Sequence, residues 1–226
     1  MKVTILSHPI DNETPSYGNR DIIRIASKCS ITNGDTANTS ELHFSNNHMG
    51  THIDVPKHFF ENGKSLTDIK PAEWFFESVS LIDITCEEAR LISINDFKNA
   101  KIKNTVDFLI IRTGFELKRT EDIYWNDYPG IASEVCEYLR KTYTSLRGLG
   151  FDFISLTSPK FKEEGKAAHK ALLEERLGKF VFIIEDMKIN LLKEAPGMLW
   201  VSPLLIKHGN GGPVTVFGIN SMKKYS

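Results

Sequence analysis

Apolar and β-branched residues fall into short runs separated by turn-forming clusters, and the runs change character along the chain. Residues 3–7 predict an opening strand, and residues 12–19, with Pro15 and Gly18, a turn-rich loop. Residues 22–32 and 39–44 alternate in part and carry β-branched side chains, with Asn33-Gly34-Asp35 as the turn between them. Farther on, residues 79–84, 106–112 and 179–184 are apolar enough for buried strands, and 106–112 is so continuous that a central position is expected. Shorter runs at 150–156, 199–206 and 214–218 add strands, with a turn at 209–212. Between them, residues 65–75, 93–100, 131–143 and 163–177 predict helices, the last stopped by Gly178. Strands alternating with helices argue for an α/β fold, and the strand-rich start for a mixed sheet. With no repeat, low-complexity tract or flexible linker, residues 1–226 are expected to form one domain.

Composition narrows the function more than the fold. The 226 residues are 41% hydrophobic and 25% charged, ordinary for a globular chain. Lys and Arg total 28 against 29 Asp and Glu, so no basic excess points to nucleic acid or an anionic membrane. The opening apolar run is too short for a secretory signal, and no run approaches the roughly 18–20 residues of a membrane helix. Cys29, Cys86 and Cys136 form no CxxC pair, so a thiolate zinc site is not expected. An odd, sparse set of cysteines suits a reducing compartment, and the cytoplasm is the expected location.

The chemistry is concentrated in His48-Met49-Gly50-Thr51-His52-Ile53-Asp54-Val55-Pro56-Lys57-His58. Its three histidines and one aspartate are separated by 4, 2 and 4 residues. In an extended strand every second side chain shares a face, so all four groups would point one way. A helix would set Asp54 off that face, and Pro56 forbids a helix interior. Ile53 and Val55 fall on the opposite parity, so an apolar side would be buried while the polar side does chemistry. An exposed polar strand would leave that parity unexplained. Imidazole and carboxylate without thiolate suit zinc or manganese in an open site with a spare base. Gly50 allows close backbone approach, and Pro56 stiffens the path to His58.

Two distant residues are candidates to complete the site. His169 shares a stripe with Leu172, Leu173 and Arg176, as either a hydrogen-bonded core histidine or a donor aimed at a metal. Glu185 follows the buried run Phe180–Ile184, where α/β sheets place their sites; a solvent-facing strand end is the alternative. His43 and His208 have no partner pattern. Arg112 reads as the counter-charge of Glu116 rather than a substrate anchor.

The motif His48-x-Gly50-Thr51-His52-x-Asp54-x-Pro56-x-His58 resembles the defining motif of the cyclase family, which includes bacterial kynurenine formamidases (arylformamidases) and isatin hydrolases. Weaker likenesses run along the chain: Leu6-Ser7-His8-Pro9-Ile10, Pro15-Ser16-Tyr17, Leu109–Gly114, Tyr128–Ile131, Gly150–Ser155, His169–Leu173, Ile184-Glu185 and Gly212-Pro213-Val214. The resemblance implies a swivelling β/β/α fold, a mixed sheet with flanking helices. It implies one or two zinc or manganese ions and a homodimer or homotetramer. By position, His48, His52 and Asp54 would bind a first metal, with Asp54 bridging to a second held by His169 and Glu185. His58 would be the general base and acid. Tyr17 stands where the formamidases place an aromatic residue, usually tryptophan, against the substrate ring. His8 matches a position near the family's site.

The leading expectation is therefore a metal-dependent hydrolase cleaving the amide C–N bond of a small aryl formamide or cyclic amide, as in tryptophan catabolism. A cyclic-ester or lactone hydrolase on the same site is the alternative. A metal-binding protein without turnover is another, and His58 argues against it, because a pure binding site needs no further polar group in register.

Overall fold

The computed structural model describes residues 1–220. The chain opens with β1 (Lys2–Ile5), a hairpin of β2 (Ile23–Cys29) and β3 (Thr39–Phe44), and the three-residue β4 (His52–Asp54). Next come β5 (Phe75–Phe76), β6 (Val79–Asp83), β7 (Leu91–Ile92) and β8 (Phe108–Arg112). Helices α1 (Ile123–Asn126), α2 (Ser133–Thr142) and α3 (Lys162–Leu173) alternate with β9 (Gly130–Ile131) and β10 (Gly148–Phe151). β11 (Phe182–Glu185), β12 (Met198–Pro203) and β13 (Gly211–Asn220) follow.

Nine strands form one mixed sheet in the order β5-β12-β13-β4-β11-β10-β8-β6, with β1 also paired to β13. The strands β6, β8, β10 and β11 run parallel, and β4 joins β11 antiparallel. The apolar runs supply both faces of this part. Leu109, Ile111, Leu149 and Ile183 enter a core with Val135, Cys136, Leu139, Ala168 and Leu172 of the helices. Phe108, Ile110, Phe182 and Ile184, on the other parity, enter a second core with Leu199, Val201, Val214 and Val216 of the antiparallel strands. Residues buried on both sides are why these strands read as continuous rather than alternating. Two sheet layers and one helical layer result, the mixed α/β architecture expected. No helix among the described residues is long and apolar enough to cross a membrane.

Several expected elements differ in kind or extent. Residues 65–75 form two single 3-10 turns, Leu66–Asp68 and Pro71–Trp74, rather than a helix. Lys70 precedes Pro71, whose ring disfavours the helical region, and it is extended at ψ 145°. Residues 93–100 likewise contain one turn, Ile94–Phe97. In each turn an acidic third residue folds back onto a backbone N–H: Asp68 onto Ser65, Glu73 onto Lys70 and Asp96 onto Ser93. The last helix ends at Leu173, because residues 176–179 reverse sharply with Leu177 and Gly178 both at positive φ. Arg176 consequently pairs with Glu137 and Glu174 at the surface and leaves the core stripe. The strand expected at 150–156 is centred earlier. Gly148 and Gly150 lie on one face of β10, and a Cβ at Gly148 would come within 2.3 Å of the Phe108 ring. β13 already begins at Gly211, within the turn expected at 209–212. β8 lies between β10 and β6, one strand from the sheet's end.

Gly148→Ala should therefore overpack the second core. Loss of about 1–3 kcal/mol in urea unfolding is expected, with metal content per folded chain unchanged. A neutral effect would show that Phe108 can move aside.

Candidate metal centre

β4 lies inside the sheet, with His52 opposite Glu185 on β11 and Asp54 opposite Gly211 on β13. His52 and Asp54 share one face, while Ile53 and Val55 are fully buried in the second core. Strand alternation therefore orients only this pair of the four polar groups. The strand is three residues long, and His48 and His58 reach the same place by turns. Gly50, at φ 62°, reverses the chain ahead of the strand. The His48 ring then lies over Gly211, where a Cβ would come within 2.5 Å of its Cε1. His58 ends a 3-10 turn, Pro56–His58, and stacks on His48 with ring centroids 4.1 Å apart. All four groups converge as expected, but bends on either side of a short strand bring them together rather than one extended segment.

The two distant candidates arrive at the same point. His169 Nε2 lies 3.6 Å from Asp54 Oδ2 and 3.5 Å from Glu185 Oε1. His52 Nε2 lies 3.2 Å from Glu185 Oε2 and 3.8 Å from Asp54 Oδ1. Both imidazoles are oriented through their other nitrogen: His52 Nδ1 donates to the Gly50 carbonyl at 2.9 Å, and His169 Nδ1 to the Gly165 carbonyl at 2.8 Å. That arrangement presents Nε2 to the carboxylates, as second-shell partners do for metal-ligating histidines. His48 Nδ1 faces Asp54 Oδ1 at 2.8 Å, and its Nε2 faces Asn210 Oδ1 at 3.1 Å.

One ligand atom from each of His48, Asp54 and His58 lies within 4.8 Å of the others, and the same holds for His52, Asp54 and Glu185. Asp54 belongs to both sets. It is 1% exposed, and its Oδ2 has no hydrogen-bond partner. A buried carboxylate oxygen without a donor, ringed by imidazoles, fits a cation ligand. The all-nitrogen-and-oxygen donor set fits zinc or manganese.

The motif, its placement on an interior strand and the arrival of His169 and Glu185 are together the signature against which known proteins can be compared. A family model described as "Putative cyclase" matches residues 4–157. The chain belongs to the cyclase family. The matched span holds the His48–His58 motif, while His169 and Glu185 lie beyond it. A kynurenine formamidase of Bacillus cytotoxicus is 24% identical over 92% of this chain and 93% of its own length. An uncharacterized protein of Haemophilus influenzae is 34% identical over 56% of this chain and 91% of its own. Among solved structures, isatin hydrolase A of Labrenzia aggregata, bound to benzyl benzoate, superposes with a TM-score of 0.75 at 20% identity. It covers 96% of this chain and 92% of that one. A potential metal-dependent hydrolase with cyclase activity superposes with a TM-score of 0.72 at 24% identity, covering 97% and 99%.

In this member of the cyclase family the donors are supported by residues that the sequence did not single out. Glu185 Oε1 accepts the Leu156 N–H at 2.6 Å and the Ser155 hydroxyl at 3.3 Å. Behind the site, Arg119 makes a two-pronged pair with Asp186, which also accepts the Tyr124 hydroxyl. The Asp186 carbonyl accepts the Thr51 hydroxyl at 2.6 Å. Asp186 follows Glu185 and Thr51 precedes His52, so this bracket ties together the backbones beneath two donors. Asp186 holds φ 53°, a conformation that strains a side-chain-bearing residue. His8 sits behind the bracket, its Nε2 4.0 Å from Asp186. Arg112 pairs with Asp83, not with Glu116, whose carboxylate instead accepts the Ile189 and Asn190 N–H groups.

The donors open onto a cavity of about 520 Å³ lined by His48, His52, His58, His169 and Glu185, with Tyr17 on its wall. Phe59 lines it too, stacked on His169 with centroids 4.7 Å apart. No spacing or pattern in the sequence singles out Phe59; its position directly after His58 is the one available signal.

Burial works to lower the His52 and His169 imidazoles, but the Glu185 and Asp54 carboxylates outweigh it and hold them at about 9 and about 10. Burial would raise both carboxylates, and the surrounding histidines hold them well below the ordinary range instead. For His58, burial prevails together with His48 and His169, and its pKa falls to about 4. Burial also lowers His8 to about 4. The raised groups stabilise the fold below pH 6.5 and lose that contribution as pH rises through about 9 to 10. His58 and His8 must stay neutral in the fold, so their penalty grows as pH falls from 6.5 toward about 4. Metal-stripped protein should thus have its highest Tm near pH 6.5. Adding zinc should flatten the alkaline limb, because the cation replaces the protons on His52 and His169. A stripped protein whose Tm keeps rising above pH 8 would contradict these assignments.

Proposed function

We propose that this chain is a metal-dependent hydrolase that cleaves the amide C–N bond of a small aryl formamide or cyclic amide. The observation that carries the reading is the convergence of four imidazoles and the Glu185 carboxylate on a buried aspartate with an unpartnered oxygen. The kynurenine formamidase and isatin hydrolase relatives support the reaction class. His48, His52 and Asp54 would hold a first zinc or manganese ion, and His169 and Glu185 a second, with Asp54 shared. Bound there, a divalent cation supplies Lewis acidity toward the amide carbonyl and lowers the pKa of water. His58, kept neutral by burial, takes the proton from the attacking water and returns it to the departing nitrogen. Amide and water become carboxylic acid and amine. Tyr17 and Phe59 offer aromatic faces to the substrate ring.

We place the protein in the cytoplasm as a homodimer or homotetramer. Its three free cysteines support the first, and the exposed apolar row of Phe75, Trp200 and Ile5 supports a subunit contact.

Hydrolysis of N-formylkynurenine, isatin and simple lactones should be tested on purified protein of measured metal content. Amide hydrolysis that a chelator abolishes and zinc or manganese restores is expected. Turnover of lactones alone would move the assignment to cyclic esters, and tight metal without turnover would mark a binding protein. His58→Ala should keep fold and metal while losing about 10²–10⁴-fold in turnover. Because His58 also lies within ligating range of His48 and Asp54, loss of metal in that variant would make it a ligand instead.

A further inference from the structure

The floor of the cavity accounts for the hydrolytic donors, but its rim carries a cation that this chemistry does not use. Arg20 lines the rim beside Tyr17 and Asp21. A local turn sets its side chain in place. Ser16 Oγ accepts the Asp21 N–H at 2.9 Å and donates to the Asp21 carbonyl at 3.1 Å, closing the loop around the 3-10 turn Tyr17–Asn19. Gly18 sits at φ 61°, and a Cβ there would come within 3.0 Å of Arg20 Nε. The bare Cα lets the guanidinium fold back over the turn, where its Cζ lies 5.7 Å from the Tyr17 ring centroid. Tyr17 is braced in turn by Tyr128, edge to face at 6.4 Å. The adjacent carboxylate is already engaged: Asp21 accepts the Ser45 hydroxyl and the Asn46 amide, each at 3.1 Å. Among the described residues no carboxylate lies within 4.0 Å of the Arg20 guanidinium, and no acceptor receives its N–H groups.

An arginine laid against an aromatic ring at a cavity mouth, with its planar fork unmatched, suits a carboxylate held by two parallel hydrogen bonds. From this geometry we infer that Arg20 is a specificity residue. It clamps a carboxylate on the part of the substrate remote from the scissile bond, so the preferred substrate is an anionic aryl amide rather than a neutral one. This rests on the hydrolase reading above and adds the substrate's charge to it. Tyr17 keeps the ring role already given to it and also serves as the platform for the guanidinium.

Formanilide and 3- or 4-formamidobenzoate share the formamide and the ring and differ in the remote carboxylate. Metal-loaded wild-type protein should favour the better formamidobenzoate by about 10- to 100-fold in kcat/KM, mainly through KM. Arg20→Ala should bring that ratio close to one, and Arg20→Lys should restore part of it, since an ammonium keeps the charge without the fork. A wild-type ratio near one, or a preference that Arg20→Ala leaves standing, overturns the clamp. If wild-type protein hydrolyses none of the three, the hydrolase reading fails separately, and calorimetry on metal-free protein decides the clamp. Benzoate should bind wild type and bind Arg20→Ala about 10-fold or more weakly, with benzamide showing no such difference. Failure of benzoate to bind wild type, or equal binding to both proteins, overturns it.

Discussion

Two carboxylates, Asp54 and Glu185, are buried where no lysine or arginine among the described residues reaches them, and the rest of the site answers to that constraint. A charged carboxylate away from water is tolerated only with compensating charge and hydrogen bonds. Here the compensation comes from imidazoles, which carry positive charge only while protonated. The same cluster can therefore be balanced by protons or by a divalent cation, and the two compete for the same nitrogens. Backbone acceptors at Gly50 and Gly165 fix which nitrogen of His52 and His169 faces inward, so the exchange requires no ring rotation.

That constraint explains why so much of the scaffold is spent on three residues of strand. β4 is paired on both edges, which removes its backbone freedom and sets His52 opposite Glu185. Ile53 anchors it from the opposite face. The Thr51 hydroxyl, donated to the Asp186 carbonyl, then ties the backbone after Glu185 to the backbone before His52, and the Arg119 ion pair fixes Asp186 in place. Two donors from segments more than a hundred residues apart in sequence are thus held by a ladder on one side and a buried ion pair on the other. A strained φ at Asp186 is tolerated because three side chains over-determine its position.

The donor residues were legible because polar groups at regular spacing in an otherwise apolar segment are costly unless they serve a purpose. The path by which they converge was not. Even spacing suggested one extended strand, whereas Gly50 and Pro56 bend the chain at both ends of a short one. The apolar runs located the parallel strands, since burial on both faces leaves a mark on every residue. The helix expected at 65–75 failed for a local reason visible in hindsight, the Lys70-Pro71 step. The Arg119–Asp186 bracket and the Leu156 N–H on Glu185 were illegible for another reason. They join residues 67 and 29 positions apart, and nothing periodic links such partners. Arg112 illustrates the same limit, since its partner was chosen by proximity in sequence while the sheet register set it beside Asp83.

The site divides by the kind of backbone that carries it. The floor stands on strands, a helix and single-turn bends locked into two cores, where a donor displaced by an ångström would lose its geometry. The rim at Tyr17 and Arg20 stands on a loop closed by one serine hydroxyl and a glycine at positive φ. Substitutions there alter the cavity's charge and shape without disturbing the sheet that holds the donors. A fold arranged this way can keep one hydrolytic floor and change what it admits by editing a few rim residues, because loops positioned by a rigid scaffold are where such change costs least stability.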